Sequence, residues 1–253
     1  MSPMPEADYR AHASLSYHDA QDFARCPWLF YSRKVMGRQR PTMGYHIFGQ
    51  AQHCLTLEGP AAFAERFIFP PEEFITEGGA VSKSKAALAW KSEQEGKTII
   101  SPNDYALLAT LAERTRKNPH AAALLSGAEV EVCRFKDHAC GRPLKGRADG
   151  VKPLVGGFDL KGCADFDKVA EDIKTYHYVD QLAWYEALFG VPFRHLIFSE
   201  KVEPYRVGVW VVSATDIAVA MQRNDALIAR IHAAYEADSW PCDPLEIQAY
   251  ESV

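Results

Sequence analysis

Apolar residues recur at helical spacing through the first half of the chain. Phe23 and Phe30 supply an apolar face after Ser16, a residue type that favours an N-cap. Pro102 follows Ser101 at the first position of another periodic stretch, where proline is favoured. The spacing predicts helices at 16–35, 48–57, 82–95 and 102–117, and a short alanine-rich helix that ends at 125.

From Gly127 onward the pattern changes to the alternation that is typical of strands. The strand at 205–212 is rich in valine, so we expect it to be central. The order of helices followed by β-β-β-α-β-β-α indicates an α/β domain with a helical N-terminal part. The predicted strands are 129–135, 144–151, 155–161, 194–199 and 205–212, and the predicted helices are 167–189 and 213–237.

We therefore expect a loose leader at 1–15 and one domain at 16–253, made of a helical part at 16–126 and an α/β core at 127–240. The 253 residues are 47% hydrophobic and 24% charged, which is ordinary for a soluble globular protein. No run approaches the roughly 20 apolar residues of a membrane span, and no signal peptide is evident, so we expect a cytoplasmic protein without membrane contact.

The charge and the cysteines exclude some functions. A formal net charge of -5 disfavours a protein that coats nucleic acid through charge alone. It is compatible with an enzyme that has a local basic channel above an acidic site. The six cysteines lack C-x-x-C spacing, so neither a zinc site nor a disulfide framework is indicated.

Two aspartates and a lysine carry the candidate chemistry. Asp149 lies in a Gly-Arg-Ala-Asp-Gly run, Asp159 follows ten residues later, and Lys161 shares a strand face with Asp159. Carboxylate oxygens are ligands that Mg²⁺ prefers, and the lysine suits an attacking water or a charged phosphate. The competing interpretations are a turn aspartate before Gly150 and a solvated strand face for Asp159 and Lys161.

Further polar residues fit the same chemistry. His53 is a candidate metal ligand or a half-buried structural histidine. Gln181 and Tyr185 lie one helical turn apart, either near a substrate or as a surface amide and a core tyrosine. Arg147 suits either a DNA phosphate or a surface salt bridge. Glu129 and Glu131 are alternative strand carboxylates, because residues two apart share a face.

Together these elements resemble the PD-(D/E)xK nuclease superfamily. The Gly49-x-x-x-His53 element resembles its RecB-like branch. The run from Phe48 to Glu58, the Gly146 to Gly150 run and the helix around Gln181 are most similar to the exonuclease VIII (RecE-type) nuclease domain. The resemblance covers 14–243 and implies a restriction-endonuclease-like fold: a mixed central sheet flanked by helices, with a helical N-terminal extension.

The resemblance also implies roles for the candidate residues. Lys161, Gln181 and Tyr185 would join the ligands in catalysis, and Gln181 would contact the active-site water or the scissile phosphate. Gly162 stands where the family usually has threonine. No iron–sulfur cluster is expected, because Cys26 resembles the early ligand of such clusters but only Cys242 lies late. The implied ligands of Mg²⁺, or of Mn²⁺ as a substitute, are His53, Glu129, Asp149, Asp159 and the carbonyl of Leu160.

A function follows from the resemblance as an expectation. It implies a Mg²⁺-dependent exonuclease that digests linear double-stranded DNA from 5′ ends and leaves 3′ overhangs for recombination or repair. It further implies a ring-like homo-oligomer, possible as a trimer or tetramer, and a single-strand annealing partner. The alternatives are a structure-specific endonuclease on the same fold and a non-catalytic module that binds DNA ends or a recombination partner. Polarity, oligomer size, the number of metals and a phage or host origin stay open.

Overall fold

The computed structural model describes residues 4–39, 43–94, 96–153 and 155–241. The α-helices in this part of the chain are α1 (Glu6–Ala11), α2 (Tyr17–Arg25), α3 (Pro27–Phe30), α4 (Gly44–His53), α5 (Pro60–Arg66), α6 (Lys85–Glu93), α7 (Pro102–Lys117), α8 (Pro119–Leu125), α9 (Val169–Thr175), α10 (Tyr178–Phe189) and α11 (Ala214–Ala237). The strands are β1 (Phe67–Ile68), β2 (Thr98–Ile99), β3 (Glu129–Asp137), β4 (Pro143–Lys152), β5 (Gly156–Cys163), β6 (Phe193–Glu200) and β7 (Val207–Val211).

Strands β3 to β7 form one mixed sheet in the order β3-β4-β5-β6-β7. Strands β5 and β6 are parallel, and the other neighbours are antiparallel. The parallel pair needs a crossover, which α9 and α10 provide. The predicted mixed α/β architecture with a helical N-terminal part is confirmed.

Alternating residues of the central strands pack into two apolar layers. On one face, Leu196 and Phe198 of β6 join Leu182 and Trp184 of α10 in the main core. On the other face, Ile197 packs in a smaller cluster whose other buried members are Ala121, Phe158 and Leu160. A third cluster joins α4, α5 and α7 through residues that include Ala51, Phe63 and Leu108. The sheet is thus covered on both faces.

The predicted boundaries hold where strong signals mark them. Helices α7 and α8 match the expectation, with Pro102 and Pro119 at their starts and Ser101 and Asn118 as N-caps. Helix α5 was not predicted. The short parallel pair of β1 and β2 was not predicted either, because two-residue strands carry no periodicity.

Three sequence predictions about the elements are wrong. Strand β7 lies at the edge of the sheet, and Val211 is 70% exposed. The helix predicted at 167–189 is divided before α10, because His177 has a left-handed backbone with φ of 56°. The helix predicted at 16–35 is interrupted at Cys26, whose extended backbone separates α2 from α3.

Part of the expected leader is ordered against the sheet. Residues 6–11 form α1, and Lys145 on β4 donates hydrogen bonds to the carbonyls of Tyr9, Arg10 and His12. Leu15 also exchanges backbone hydrogen bonds with the start of β4. The late Cys242 lies outside the described residues. Within them, no helix combines the length and the apolar character of a membrane span.

Candidate metal centre

Asp149 lies within β4, as the predicted strand at 144–151 requires, and the competing interpretation of a turn aspartate does not apply. The strand continues because Gly150 pairs with Phe158 of β5. A Cβ atom at Gly150 would stand 2.1 Å from the Phe158 ring, so glycine is required for this close approach. The Asp149 side chain is buried, and its Oδ2 accepts a hydrogen bond from the Leu160 amide at 2.6 Å. This bond fixes the carboxylate against β5.

His53, Glu131 and Asp149 come together from three elements of the described chain. Their potential ligand atoms all lie within 4.8 Å of one another. His53 Nδ1 lies 3.2 Å from Asp149 Oδ1. His53 is the last residue of α4, directly before a π-helical turn at Cys54–Glu58. Such turns occur frequently at functional sites, since they change the direction in which side chains project.

The strand carboxylate that lies with His53 and Asp149 is Glu131, and not Glu129, which the sequence analysis preferred. Glu129 is exposed, whereas the Glu131 side chain is 12% exposed and faces His53 and Asp149. Glu131 has φ of 54°, although its neighbours Val130 and Val132 pair regularly with β4. The two-residue period that made both glutamates equivalent fails at this residue, because one left-handed residue redirects its side chain. A strained residue of this kind is characteristic of functional sites.

Asp159 and Lys161 lie on β5 beside the cluster and form an ion pair. Lys161 Nζ lies 2.7 Å from Asp159 Oδ2 and donates a hydrogen bond of 3.0 Å to Gln181 Oε1. Gln181 Nε2 in turn donates to the hydroxyl of Tyr185 at 2.9 Å. The predicted face of α10 therefore lies behind Lys161 and holds it.

The remaining candidates, Leu160 and Arg147, each contact an acidic side chain of the site. Leu160 contacts Asp149 through its amide, and its side chain is fully buried in the core. Arg147 pairs with Glu131, with Nε 2.6 Å from Oε2, and lies 3.9 Å from Glu6 of α1. Arg147 thus meets carboxylates of its own chain, and its role in DNA contact stays a prediction.

Comparison with known proteins identifies the family. The family model described as a PDDEXK-like domain of unknown function (DUF3799) matches residues 20–251 of the chain. The chain belongs to this PDDEXK-like family. No curated protein matches it.

Solved structures resemble this PDDEXK-like chain to different degrees. A protein from Eubacterium rectale assigned as an exonuclease has a TM-score of 0.71 at 14% identity, over 100% of this chain and 96% of its own. A phage-related exonuclease from Haemophilus somnus has a TM-score of 0.37 at 12% identity, over 74% and 94%. The family match and the first likeness together confirm the restriction-endonuclease-like fold that the resemblance implied.

Burial and mutual repulsion disfavour the charged forms of two carboxylates in the PDDEXK-like site. Burial raises the pKa of Glu131 to about 7, and the nearby Asp149 charge adds to this shift. Burial also raises the pKa of Asp159 to about 6, against the opposing charge of Lys161. Burial alone would lower the pKa of His53, but Asp149 raises it to about 9.

The donor set fits a divalent cation. Metal–ligand distances of about 2.0–2.6 Å let one ion span roughly 4–5 Å between opposite ligands, which matches the spread of His53, Glu131 and Asp149. Asp159 Oδ2 is buried and pairs with the Lys161 ammonium at 2.7 Å, and a carboxylate oxygen has a second lone pair that can accept a further positive partner. The raised pKa values of Glu131 and Asp159 indicate that their charged forms lack positive partners. A bound cation would supply that positive charge.

Two residues near the site were not predicted. Lys161 Nζ lies 4.8 Å from the centroid of the Tyr178 ring, and Tyr178 precedes Gln181 by one helical turn, so the i−3 spacing was an available signal. Gln52 is buried and donates to Ser199 Oγ at 2.5 Å, which ties α4 to β6. That contact spans 147 residues, and no local pattern indicates it.

Proposed function

We propose that this PDDEXK-like chain is a metal-dependent DNA nuclease, and specifically an exonuclease that digests linear double-stranded DNA. The observation that carries the proposal is the cluster of His53, Glu131 and Asp149 beside the Asp159–Lys161 ion pair. Carboxylates and an imidazole within reach of one cation, next to a half-buried lysine, suit hydrolysis of a phosphodiester. We propose Mg²⁺ as the natural ion and Mn²⁺ as a substitute.

In this proposal each side chain has a separate task. His53, Glu131, Asp149 and Asp159 would hold the ion, and the Leu160 carbonyl is a further candidate ligand. When bound, the ion would lower the pKa of a water molecule and offset charge on the phosphate.

The other groups of the proposed machinery orient and stabilise. Lys161, positioned by Asp159 and Gln181, would donate a hydrogen bond to the attacking water or to the phosphate oxygen that gains charge. Burial would lower the pKa of Lys161, but Asp159 and Asp149 raise it, so this side chain stays charged and acts as a donor. Tyr185 would act by holding Gln181.

The finer features rest on the resemblance to RecE-type enzymes. They are attack from 5′ ends, 3′ overhangs as products, a ring-like homo-oligomer and a single-strand annealing partner in recombination or repair. The Eubacterium rectale protein that shares the fold is itself assigned as an exonuclease, which supports action at DNA ends.

A time course on linear duplex labelled at the 5′ or the 3′ end, with Mg²⁺ or with EDTA, tests the proposal. We expect early release of the 5′ label as mononucleotide, no release in EDTA, and no release by the Asp159→Ala and Lys161→Ala variants. Covalently closed circular DNA should resist, and cleavage of circles would favour an endonuclease. If the folded protein releases neither label in any metal, the nuclease proposal is wrong and a DNA-end-binding module replaces it.

A further inference from the structure

Lys201 lies directly after β6 and crosses the end of the sheet towards α4. Its amide donates to the Cys163 carbonyl at 2.9 Å, which ties it to the end of β5. Its Nζ lies 5.2 Å from the centroid of the Phe48 ring on α4. The side chain therefore bridges the end of the β5–β6 pair and the helix that carries His53.

The absence of a side chain at Gly162 makes room for Lys201. A Cβ atom at Gly162 would stand 2.5 Å from Lys201 Cε, 3.3 Å from its Nζ and 2.9 Å from Gln52 Oε1. Lys201 thus occupies the space beside the residue that follows Lys161 and the residue that precedes His53. This packing gives a physical reason why the chain has glycine after the lysine of its Asp-x-Lys motif.

The charge of Lys201 has no anionic partner in the described chain. The half-buried cations of the site each face a carboxylate: Lys161 faces Asp159, and Arg147 faces Glu131. Among the described residues, no carboxylate oxygen forms an ion pair with Lys201, and burial lowers its pKa. Half-burying an ammonium without a counter-charge is costly, and the Phe48 ring offsets this cost only in part. A ligand that supplies an anion would relieve the remainder.

We propose that Lys201 binds a DNA phosphate that neighbours the one undergoing cleavage. The inference rests on the proposed nuclease function, since the DNA that reaches Lys161 and His53 would pass beside Lys201. An ammonium on a long stem suits a phosphate as a point charge. The competing interpretation is that Lys201 only packs its stem between Phe48 and Gly162.

Binding of fluorescently labelled duplex DNA, measured by anisotropy in EDTA over a series of salt concentrations, separates these interpretations. Lys201→Met keeps the stem and removes the charge, and Lys201→Arg keeps the charge. Lys117→Met removes the same charge from an exposed lysine that pairs with Glu113 on α7, so it is the matched control.

For Lys201→Met we expect the Kd to rise about 3–10-fold and the slope of log K against log salt to fall by about 0.9, the contribution of one phosphate contact. Lys201→Arg should restore most of the affinity, and Lys117→Met should bind like wild type. With Mg²⁺, we expect Lys201→Met to raise KM by a larger factor than it lowers kcat.

Each contrary outcome is distinct. If Lys201→Met has the wild-type Kd and salt slope while the wild type cleaves DNA, the inference about Lys201 is overturned and the nuclease function stands. A lower kcat with unchanged binding would also overturn it, since it indicates a packing role. If the wild type neither binds nor cleaves DNA, both proposals fail.

Discussion

Replacing Tyr185 with phenylalanine removes one oxygen atom from the chain of side chains behind Lys161. In the wild type, the Tyr185 hydroxyl accepts a 2.9 Å hydrogen bond from Gln181, whose own oxygen accepts from Lys161 at 3.0 Å. Gln181 is 5% exposed and Tyr185 is 7% exposed, so water does not readily replace the lost partner. The substitution therefore leaves a buried amide N–H unsatisfied.

The size of the effect follows from this geometry. A buried donor left without its partner costs about 1–3 kcal/mol, so we expect the free energy of unfolding to fall by that amount. The Gln181 side chain would rotate to find a new hydrogen-bond partner, and Lys161 would then lose the Gln181 oxygen as an acceptor. Lys161 would keep its ion pair with Asp159. A loss of about 1.4 kcal/mol in the transition state would lower kcat about 10-fold.

Urea denaturation and steady-state cleavage of labelled duplex measure the two effects. Thr115→Val is the matched control, because the Thr115 hydroxyl is also buried and donates at 2.7 Å to the Leu111 carbonyl within α7. We expect Thr115→Val to lose stability and to keep the wild-type kcat. A wild-type kcat in Tyr185→Phe, or an equal loss in both variants, would refute the reasoning.

Three further predictions concern the fold. Gly150→Ala places a methyl group 2.1 Å from the Phe158 ring, so chemical denaturation should show a loss of about 1–3 kcal/mol, and an unchanged midpoint would contradict this packing. Hydrogen bonds from Arg206 lower the pKa of Glu200 to about 2, from an ordinary value of 4.5. The stability this pair adds is present above the ordinary value and is lost as the pH falls towards 2. The difference in Tm between wild type and Glu200→Gln should therefore shrink as the pH is lowered from about 5 to about 3; a constant difference would argue against the pairing. Lys145→Met removes the donor to three carbonyls of the N-terminal segment, so amide exchange in residues 9–12 should accelerate, and unchanged exchange would show that other contacts hold the segment.

The sequence predicts those parts of the site that follow local periodicity. Asp159 and Lys161 share a face because β5 is regular around them, and Gln181 and Tyr185 meet because α10 is regular. Glu131 could not be chosen over its neighbour two residues earlier, since a left-handed residue inside a strand leaves no trace in an alternating pattern.

Long-range packing explains the other differences. The edge position of β7 depends on the order of the strands, which valine content does not specify. The position of Lys201 beside Gly162 depends on β5 and β6 being parallel neighbours, which brings together residues 39 apart in the chain. Such juxtapositions arise from topology, and no window of sequence contains them.

Cleavage of labelled duplex DNA by Glu131→Gln and by Glu129→Gln, each with Mg²⁺ and with Mn²⁺, tests the central claim most directly. The two variants replace the same type of carboxylate on the same strand, but among the two only Glu131 lies with His53 and Asp149. We predict that Glu131→Gln lowers kcat at least about 100-fold, as expected for loss of a group that stabilises the transition state, and that Glu129→Gln cleaves like wild type. Wild-type cleavage by Glu131→Gln, or an equal loss in both variants, would contradict the proposed metal centre.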